Sequence, residues 1–183
     1  RVVITGRNAE RLAKAAAEVD ADSAPTLDLG DPARLEEVFA ELPAQLDHVL
    51  VSGGGPFYAP IADLDFGHAQ RVLDEELLGA LRVARLCIGR VRAGGSLTLI
   101  SGTGARRPGP GLSIAAIGTV GLQAIAANAA LELAPIRVNA VAAGFVDTPL
   151  SARLLGDQLD DRRADLRDTL PIHRVVGPDD VAL

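Results

Sequence analysis

The residue types that do acid–base chemistry are missing from the long loop of this chain where they would first be sought. The stretch SGTGARRPGPGLSIAAIGTVGLQ, Ser101 to Gln123, falls between an apolar strand pattern and a long helical one, yet it holds no Tyr, Lys, His, Asp, Glu or Cys. Ser101, Thr103 and Ser113 offer hydroxyls without a base, and such residues usually satisfy loop backbone. Arg106 and Arg107 could hold an anion or simply be solvated. Tyr58 is the only phenol of the chain, in the loop GGGPFYAP, and is either a weak candidate for proton transfer or a packing aromatic. Glu76, in LDEELLGA, is costly if buried alone, so it must find an arginine or bind a proton. His48, His68 and His173 have no metal-ligand spacing, and a single cysteine, Cys87, excludes an internal disulfide. We expect no metal site and a buried, apolar role for Cys87.

Alternating strand and helix patterns position these residues. RVVIT (1–5), APTLDL (24–29), DHVLVS (47–52), SLTLIS (96–101) and IRVNAVA (136–142) read as strands. Between them lie NAERLAKAAAEV with Asn8 as N-cap, DPARLEEVFAEL with Asp31 as N-cap and Pro32 at N1, a long helix over 66–92, and another over 112–134. A charged helical segment, DQLDDRRADLRDTL, follows. Strands linked through helices imply right-handed crossovers and a parallel sheet covered on both faces, so the fold class is α/β, a doubly wound parallel sheet. We expect one domain over 1–183. Ligands of such sheets bind beyond the carboxyl ends of the strands. The loops to read therefore begin GRN, DLGD, SGGGP, SGTGARRPGPG and AGFVDTP.

Composition bounds the function. The 183 residues carry a formal charge of −6 and 48% apolar residues, with scattered arginines and no basic stripe, which argues against nucleic acid as a partner. No apolar run reaches the roughly 18 residues of a membrane span and no signal-peptide pattern opens the chain, so we expect a soluble, cytoplasmic protein with no membrane partner. The chain holds no Met and opens on what reads as the inside of a strand, so it looks trimmed at its start.

Loop by loop the sequence resembles the short-chain dehydrogenase/reductase family. The run ALELAPIRVNAVAAGFVDTPL is the most specific piece, with Ala143-Gly144 where the family usually has Pro-Gly, and LPIHRVVGPDDVA matches the approach to the family's final strand. The resemblance implies a Rossmann-like fold whose first and last strands are absent from these residues, the first strand lying in mid-sheet with its Gly-rich turn. It also implies a nicotinamide dinucleotide cofactor. Gly6 stands where an acidic residue would favour NAD, and Gly6-Arg7 favours NADP(H), since a guanidinium can pair with a 2′-phosphate; a solvated strand-end arginine is the bland alternative. Asp28 falls where the family contacts the adenine amino group, with Leu29 near the ring, although Asp28 could merely end a strand. Ser52, Gly53 and Gly54 let backbone approach a ribose, or serve a positive φ. Val146 and Thr148 match positions that hold the nicotinamide carboxamide, unless Thr148 only starts a helix.

The same register accounts for the missing reactive groups. It puts the family's catalytic Ser at Gly102, its Tyr at Ala115, its Lys at Thr119 and its Asn at Glu76. Positioned acid–base groups contribute about 10²- to 10⁴-fold, so simple ketone reduction should be crippled. Holding a hydride donor against an acceptor still contributes roughly 7–11 kcal/mol. An iminium or activated alkene, which needs no simultaneous protonation, could then still be reduced. The reading is a divergent NADP(H)-linked oxidoreductase with atypical or lost catalytic groups; the alternative is a catalytically silent NADP(H)-binding sensor or oligomer partner. The helix over 112–134 is apolar nearly all round, with Glu132 its only charge, so it should be buried on several faces and support a homo-oligomer, dimer or tetramer.

Overall fold

The computed structural model describes residues 1–182. The chain forms two compact units, Arg1–Ala142 and Ala143–Leu183.

The first unit is a Rossmann-like α/β layer structure. Helix α1 (Ala9–Glu18) is capped by Asn8, whose Oδ1 accepts from the Arg11 amide at 2.9 Å. Helix α2 (Pro32–Glu41) is capped by Asp31, which accepts from the Arg34 amide at 3.0 Å. Strand β1 (Leu46–Val51) pairs in parallel with β2 (Val91–Gly102), and β3 (Arg137–Ala143) completes the order β1-β2-β3. β2 supplies the centre of the core through Leu97 and Leu99, both fully buried. Around them close Leu35, Val38 and Phe39 of α2, Ala80, Val83 and Cys87 of helix α4 (Gly79–Cys87), and Leu122, Ala126 and Ala129 of helix α5 (Ser113–Glu132).

The two segments expected as the first strands form only isolated parallel bridges, Val3 with Ser23 and Gly6 with Thr26. The pairing is continuous in direction, with Asp22 N–H donating to Val2 O at 2.8 Å and Leu27 N–H to Gly6 O at 3.1 Å. Pro25 stands between the two bridges and has no N–H to contribute, so the ladder is interrupted there. β2 starts five residues earlier than the apolar run suggested, because Gly94 (φ +77°) and Gly95 let the strand bulge: a Cβ on Gly95 would stand 2.4 Å from Asp47 O.

The single helix expected over 66–92 is three pieces. Helix α3 (Phe66–Leu73), capped by Asp65, runs into a π-helical turn over Asp74–Leu78 and then into α4. The amide of Gly79 bonds Asp74 O, the five-residue spacing of a π-bulge. The chain leaves the helix at Ile88, and Gly89 (φ +72°) turns it toward β2.

Helix α5 corrects one expectation. Its 20 residues are long and apolar enough to cross a membrane by length and composition, contrary to the reading that no apolar run reaches that length. One face, Ile114, Ala115, Gly118, Leu122, Ala126 and Ala129, is nevertheless buried in the core of this unit. Within one chain, Ile117, Val120 and Leu131 of the same helix lie 50%, 50% and 81% exposed.

The second unit holds α6 (Pro149–Leu155), α7 (Leu159–Thr169) and the short α8 (Pro178–Ala182), with Leu166 its buried residue.

Candidate functional site

The carboxyl ends of the parallel segments bring several of the expected residues together in the first unit. Arg7 follows the Gly6–Thr26 bridge, and its Nη1 donates to Glu75 Oε2 at 3.2 Å while the side chain remains 57% exposed. Asp28 Oδ1 accepts from the Gly30 amide at 2.9 Å, an Asx turn that fixes the loop after the second segment. Glu75 Cγ would lie 3.1 Å from a Cβ on Gly30, and Leu29 Cδ1 2.5 Å from one on Gly53. Arg7, Asp28, Leu29, Gly53 and Glu75 thus form one group of neighbours. Ser52 opens the glycine loop and is exposed. Gly54 has φ +90°, which a side chain would strain. Gly55 has nothing within 4 Å of where a Cβ would stand, so the loop borders open space.

Gly102 and Glu76 both lie against α5, which carries Ala115 on its buried face and Thr119 half-buried one turn further on. Thr119 Oγ1 donates to Ala116 O at 3.0 Å, Ser101 Oγ donates to Thr119 O at 2.9 Å, and Gln123 Nε2 donates to Gly102 O at 3.2 Å. The Ser101 and Thr119 hydroxyls are therefore spent on backbone carbonyls. The Glu76 carboxyl is the ionisable group left in the cluster. It enters between two glycines: its Oε2 lies 2.0 Å from where a Gly118 Cβ would be, and its Cγ 2.7 Å from where a Gly54 Cβ would be. It makes no hydrogen bond or ion pair among the described residues. Burial, reinforced by the Glu75 charge, pushes its pKa up to about 7. Tyr58, 49% exposed, is pushed up as well, first by burial and then by the Glu76 charge. Cys87 is fully buried and its thiol is raised to about 11 by burial, the apolar role expected of it.

Val146 and Thr148 lie in the second unit. Thr148 caps α6, accepting from the Ser151 amide at 3.3 Å, and Ser151 Oγ donates to Val146 O. Arg163 grips Asp147 with two hydrogen bonds of 2.9 and 2.8 Å, which holds that carboxyl below the usual range. This fork fixes the backbone that carries both residues. Among the described residues no cluster of His, Cys, Asp or Glu could hold a metal ion.

Sequence reading missed four contributors: Glu75, Gly118, Gln123 and the Arg163–Asp147 pair. A signal for Gly118 existed. Gly118 and Gly121 lie three apart in an otherwise apolar helix, where each glycine costs about 1 kcal/mol, so both imply close approach. They admit Glu76 and Leu77 of the π turn, respectively.

A family model described as Enoyl-(Acyl carrier protein) reductase matches residues 1–183. The chain is similar to the human Dehydrogenase/reductase SDR family member 4, at 30% identity over 158 residues, covering 83% of this chain and 56% of that protein. The chain belongs to the short-chain dehydrogenase/reductase family. This family member is also similar to the peroxisomal 2,4-dienoyl-CoA reductase of Saccharomyces cerevisiae, at 26% identity with 100% of this chain and 66% of that protein covered. A solved short chain dehydrogenase/reductase family protein superposes with a TM-score of 0.83 at 28% identity, covering 99% of this chain and 75% of that one. The chain thus spans little more than half the length of the human relative.

Proposed function

We propose that this chain is the larger part of an NADP(H)-linked reductase whose substrate carries an electrophile that tolerates late protonation, a conjugated alkene above all and an iminium next. The observation that carries the reading is the contrast at one site. Arg7, Asp28 and a bare glycine loop remain at the end that would hold adenosine, while Gly102, Ala115 and Thr119 supply no phenol and no ammonium. The donor set suits the cofactor. Arg7 would pair with a 2′-phosphate, Asp28 would accept from the adenine amino group, Leu29 would face the ring, and the Ser52–Gly54 backbone would approach a ribose at the open space beside Gly55. In the second unit, Val146 and Thr148 match the family positions that hold the carboxamide. The bound cofactor would supply a hydride. The family model's description and the yeast relative's name both refer to enoyl or dienoyl groups, which supports a conjugated alkene.

Calorimetric titration with NADPH and NADH, then a reductase assay on conjugated enones, enoyl thioesters and simple ketones, tests the reading. Binding of NADPH with alkene turnover and little ketone turnover is expected. Brisk ketone reduction would overturn it. Tight NADPH binding with no turnover would favour the second reading, a silent NADP(H)-binding sensor or oligomer partner, for which the vacated positions 102, 115 and 119 also speak.

A homo-oligomer is part of the same proposal. Leu81 of α4, Ile88 just after it and Ile125 of α5 line an open groove, and Ile117, Val120 and Leu131 continue the apolar surface. Light scattering that finds only monomer at micromolar concentration would refute it. A cytoplasmic location fits the packing of one α5 face into the protein core.

A further inference from the structure

Glu76 occupies an unusual position for a carboxylate. It stands on a π-helical turn, a feature that recurs at functional sites, and it is directed at Gly118, on the α5 face that carries Ala115. Residues three apart on a helix have Cβ atoms about 5–6 Å apart, so a carboxyl resting on Gly118 lies within one turn of Ala115. Any side chain at 118 or 54 would displace it. An unpaired carboxyl in such a place is a liability for stability. Its retention against two glycine walls suits a group that must hold a proton and be free to give it.

We propose that Glu76 is the proton-transfer residue of this site, its carboxyl protonating the substrate after hydride addition. This rests on the reductase reading above. For a conjugated alkene, the new C–H bond at the β-carbon takes its electron pair as hydride from a reduced nicotinamide dinucleotide, which leaves oxidised, and the alkene π pair moves into an enolate. The enolate α-carbon then takes the Glu76 proton. Glu76 is left as carboxylate, and water reprotonates it from its open side. The competing groups are engaged or ill suited. The Thr119 and Ser101 hydroxyls donate to carbonyls, and Tyr58 is held more protonated by burial.

The charges around Glu76 keep it near the working pH. On its own turn, Asp74 is paired to Arg82 of α4 at 3.3 Å, and Glu75, paired to Arg7, opposes ionisation of its neighbour. From α3, Arg71 acts on Asp65, and His68 stacks on Phe57. From α4, Arg85 is committed to Glu36 at 3.0 Å. From α5 the only charge is Glu132, at the far end of the helix. Tyr58 faces Glu76 from the glycine loop. No cation forms an ion pair with Glu76 among the described residues, and an acid poised near neutrality is the efficient kind.

The first test needs no cofactor. Carbon-13 NMR of glutamate-labelled protein, with Glu76→Gln to assign the signal, should show one carboxyl titrating near pH 7. The tyrosine absorbance, which reports Tyr58 alone, should titrate at lower pH in Glu76→Gln. A Glu76 carboxyl that titrates in the ordinary range overturns the proposal. The second test is kcat against pH with NADPH and a conjugated enone. Wild type should lose rate as pH rises through the Glu76 midpoint. Glu76→Gln should run about 10²- to 10⁴-fold slower without that inflection, and Glu76→Asp should recover part of the rate. Equal rates and profiles in wild type and Glu76→Gln would remove Glu76 alone. Loss in Tyr58→Phe with Glu76→Gln still active would give the proton to Tyr58. Absence of turnover by the wild type with NADPH bound would remove the reductase reading, and this proposal with it.

Discussion

Glu75 and Glu76 are consecutive in sequence and meet opposite fates. Glu75 turns toward the adenosine end, where Arg7 satisfies it in a partly exposed pair. Glu76 turns into the space between Gly54 and Gly118, where nothing among the described residues satisfies it. The π-helical turn places the two on adjoining sides of the site. A carboxylate beside a guanidinium in water stays charged at little cost, whereas one taken from water without a partner binds a proton instead. One end of the site is therefore organised around fixed charge, and the other around a movable proton.

The fixed-charge end is broken most sharply at Arg7. A charge-assisted hydrogen bond contributes about 1.5–3 kcal/mol, so one such bond to a 2′-phosphate gives roughly ten- to a hundredfold preference for NADP(H). Arg7→Ala should erase most of that preference and leave NADH affinity nearly unchanged, as read by calorimetry. Equal affinities for the two cofactors in the unmodified protein would remove Arg7 from the site.

At the other end, Gly54→Ala attacks the wall that admits Glu76. It forces a side chain into φ +90° and sets a Cβ 2.7 Å from Glu76 Cγ, so a loss of about 1–3 kcal/mol is expected in denaturant unfolding. Gly55→Ala, with open space at the corresponding place, should lose less. Equal losses would mean that the Glu76 side chain is not held by this loop.

The movable proton also leaves a mark on stability. Glu76 rises from 4.5 to about 7 on folding, so the unfolded chain releases that proton first as pH increases. The folded state carries no penalty from this group below pH 4.5, loses stability between 4.5 and about 7, and stays at the reduced level above. The full shift would correspond to about 3 kcal/mol, and partial solvation of the side chain brings the expectation to about 1–2 kcal/mol. Glu76→Gln should therefore match wild type near pH 4.5 and melt higher at pH 8, by roughly 2–8 °C. A gain of equal size at both pH values would refute the raised pKa of Glu76.

The two ends differed in how far the sequence betrayed them. The Asn8 and Asp31 caps, the alternation of strand and helix, and the loops after the strands were legible because each rests on local chemistry or on a period within one segment. The vacated positions 102, 115 and 119 were legible from the register of the family resemblance. Glu76 was identified as a problem, a carboxylate needing an arginine or a proton, but its surroundings were not. Those depend on the π turn and on Gly118, two features separated by 42 positions in the chain whose meeting no local pattern encodes. Arg7 was read as free for a phosphate, whereas Glu75 holds it, because an ion pair across 68 residues leaves no trace in either segment. The broken first ladder was missed for a simpler reason. Pro25 lies inside the apolar run APTLDL, and its missing N–H is the one local sign that the ladder breaks there.

The smallest expected effect joins the two ends. Exposed or partly exposed pairs contribute about 0–1 kcal/mol, so the Glu75–Arg7 contact costs little to lose. Glu75→Gln removes a negative charge beside the place of the 2′-phosphate and releases one arm of Arg7. NADPH should bind roughly two- to fivefold more tightly, a gain that shrinks as salt screens it, while NADH is unaffected. The same substitution removes the charge that opposes ionisation of Glu76, so the Glu76 midpoint should move down while remaining above the ordinary carboxyl value, since burial is the larger cause. Calorimetry at two salt concentrations reads the first effect, and the labelled-carboxyl titration reads the second. Weaker NADPH binding in Glu75→Gln would mean that Glu75 holds Arg7 in the binding position rather than competing for it. A Glu76 midpoint that does not move would mean that the two ends are electrostatically independent, and that burial against Gly54 and Gly118 alone sets the proton.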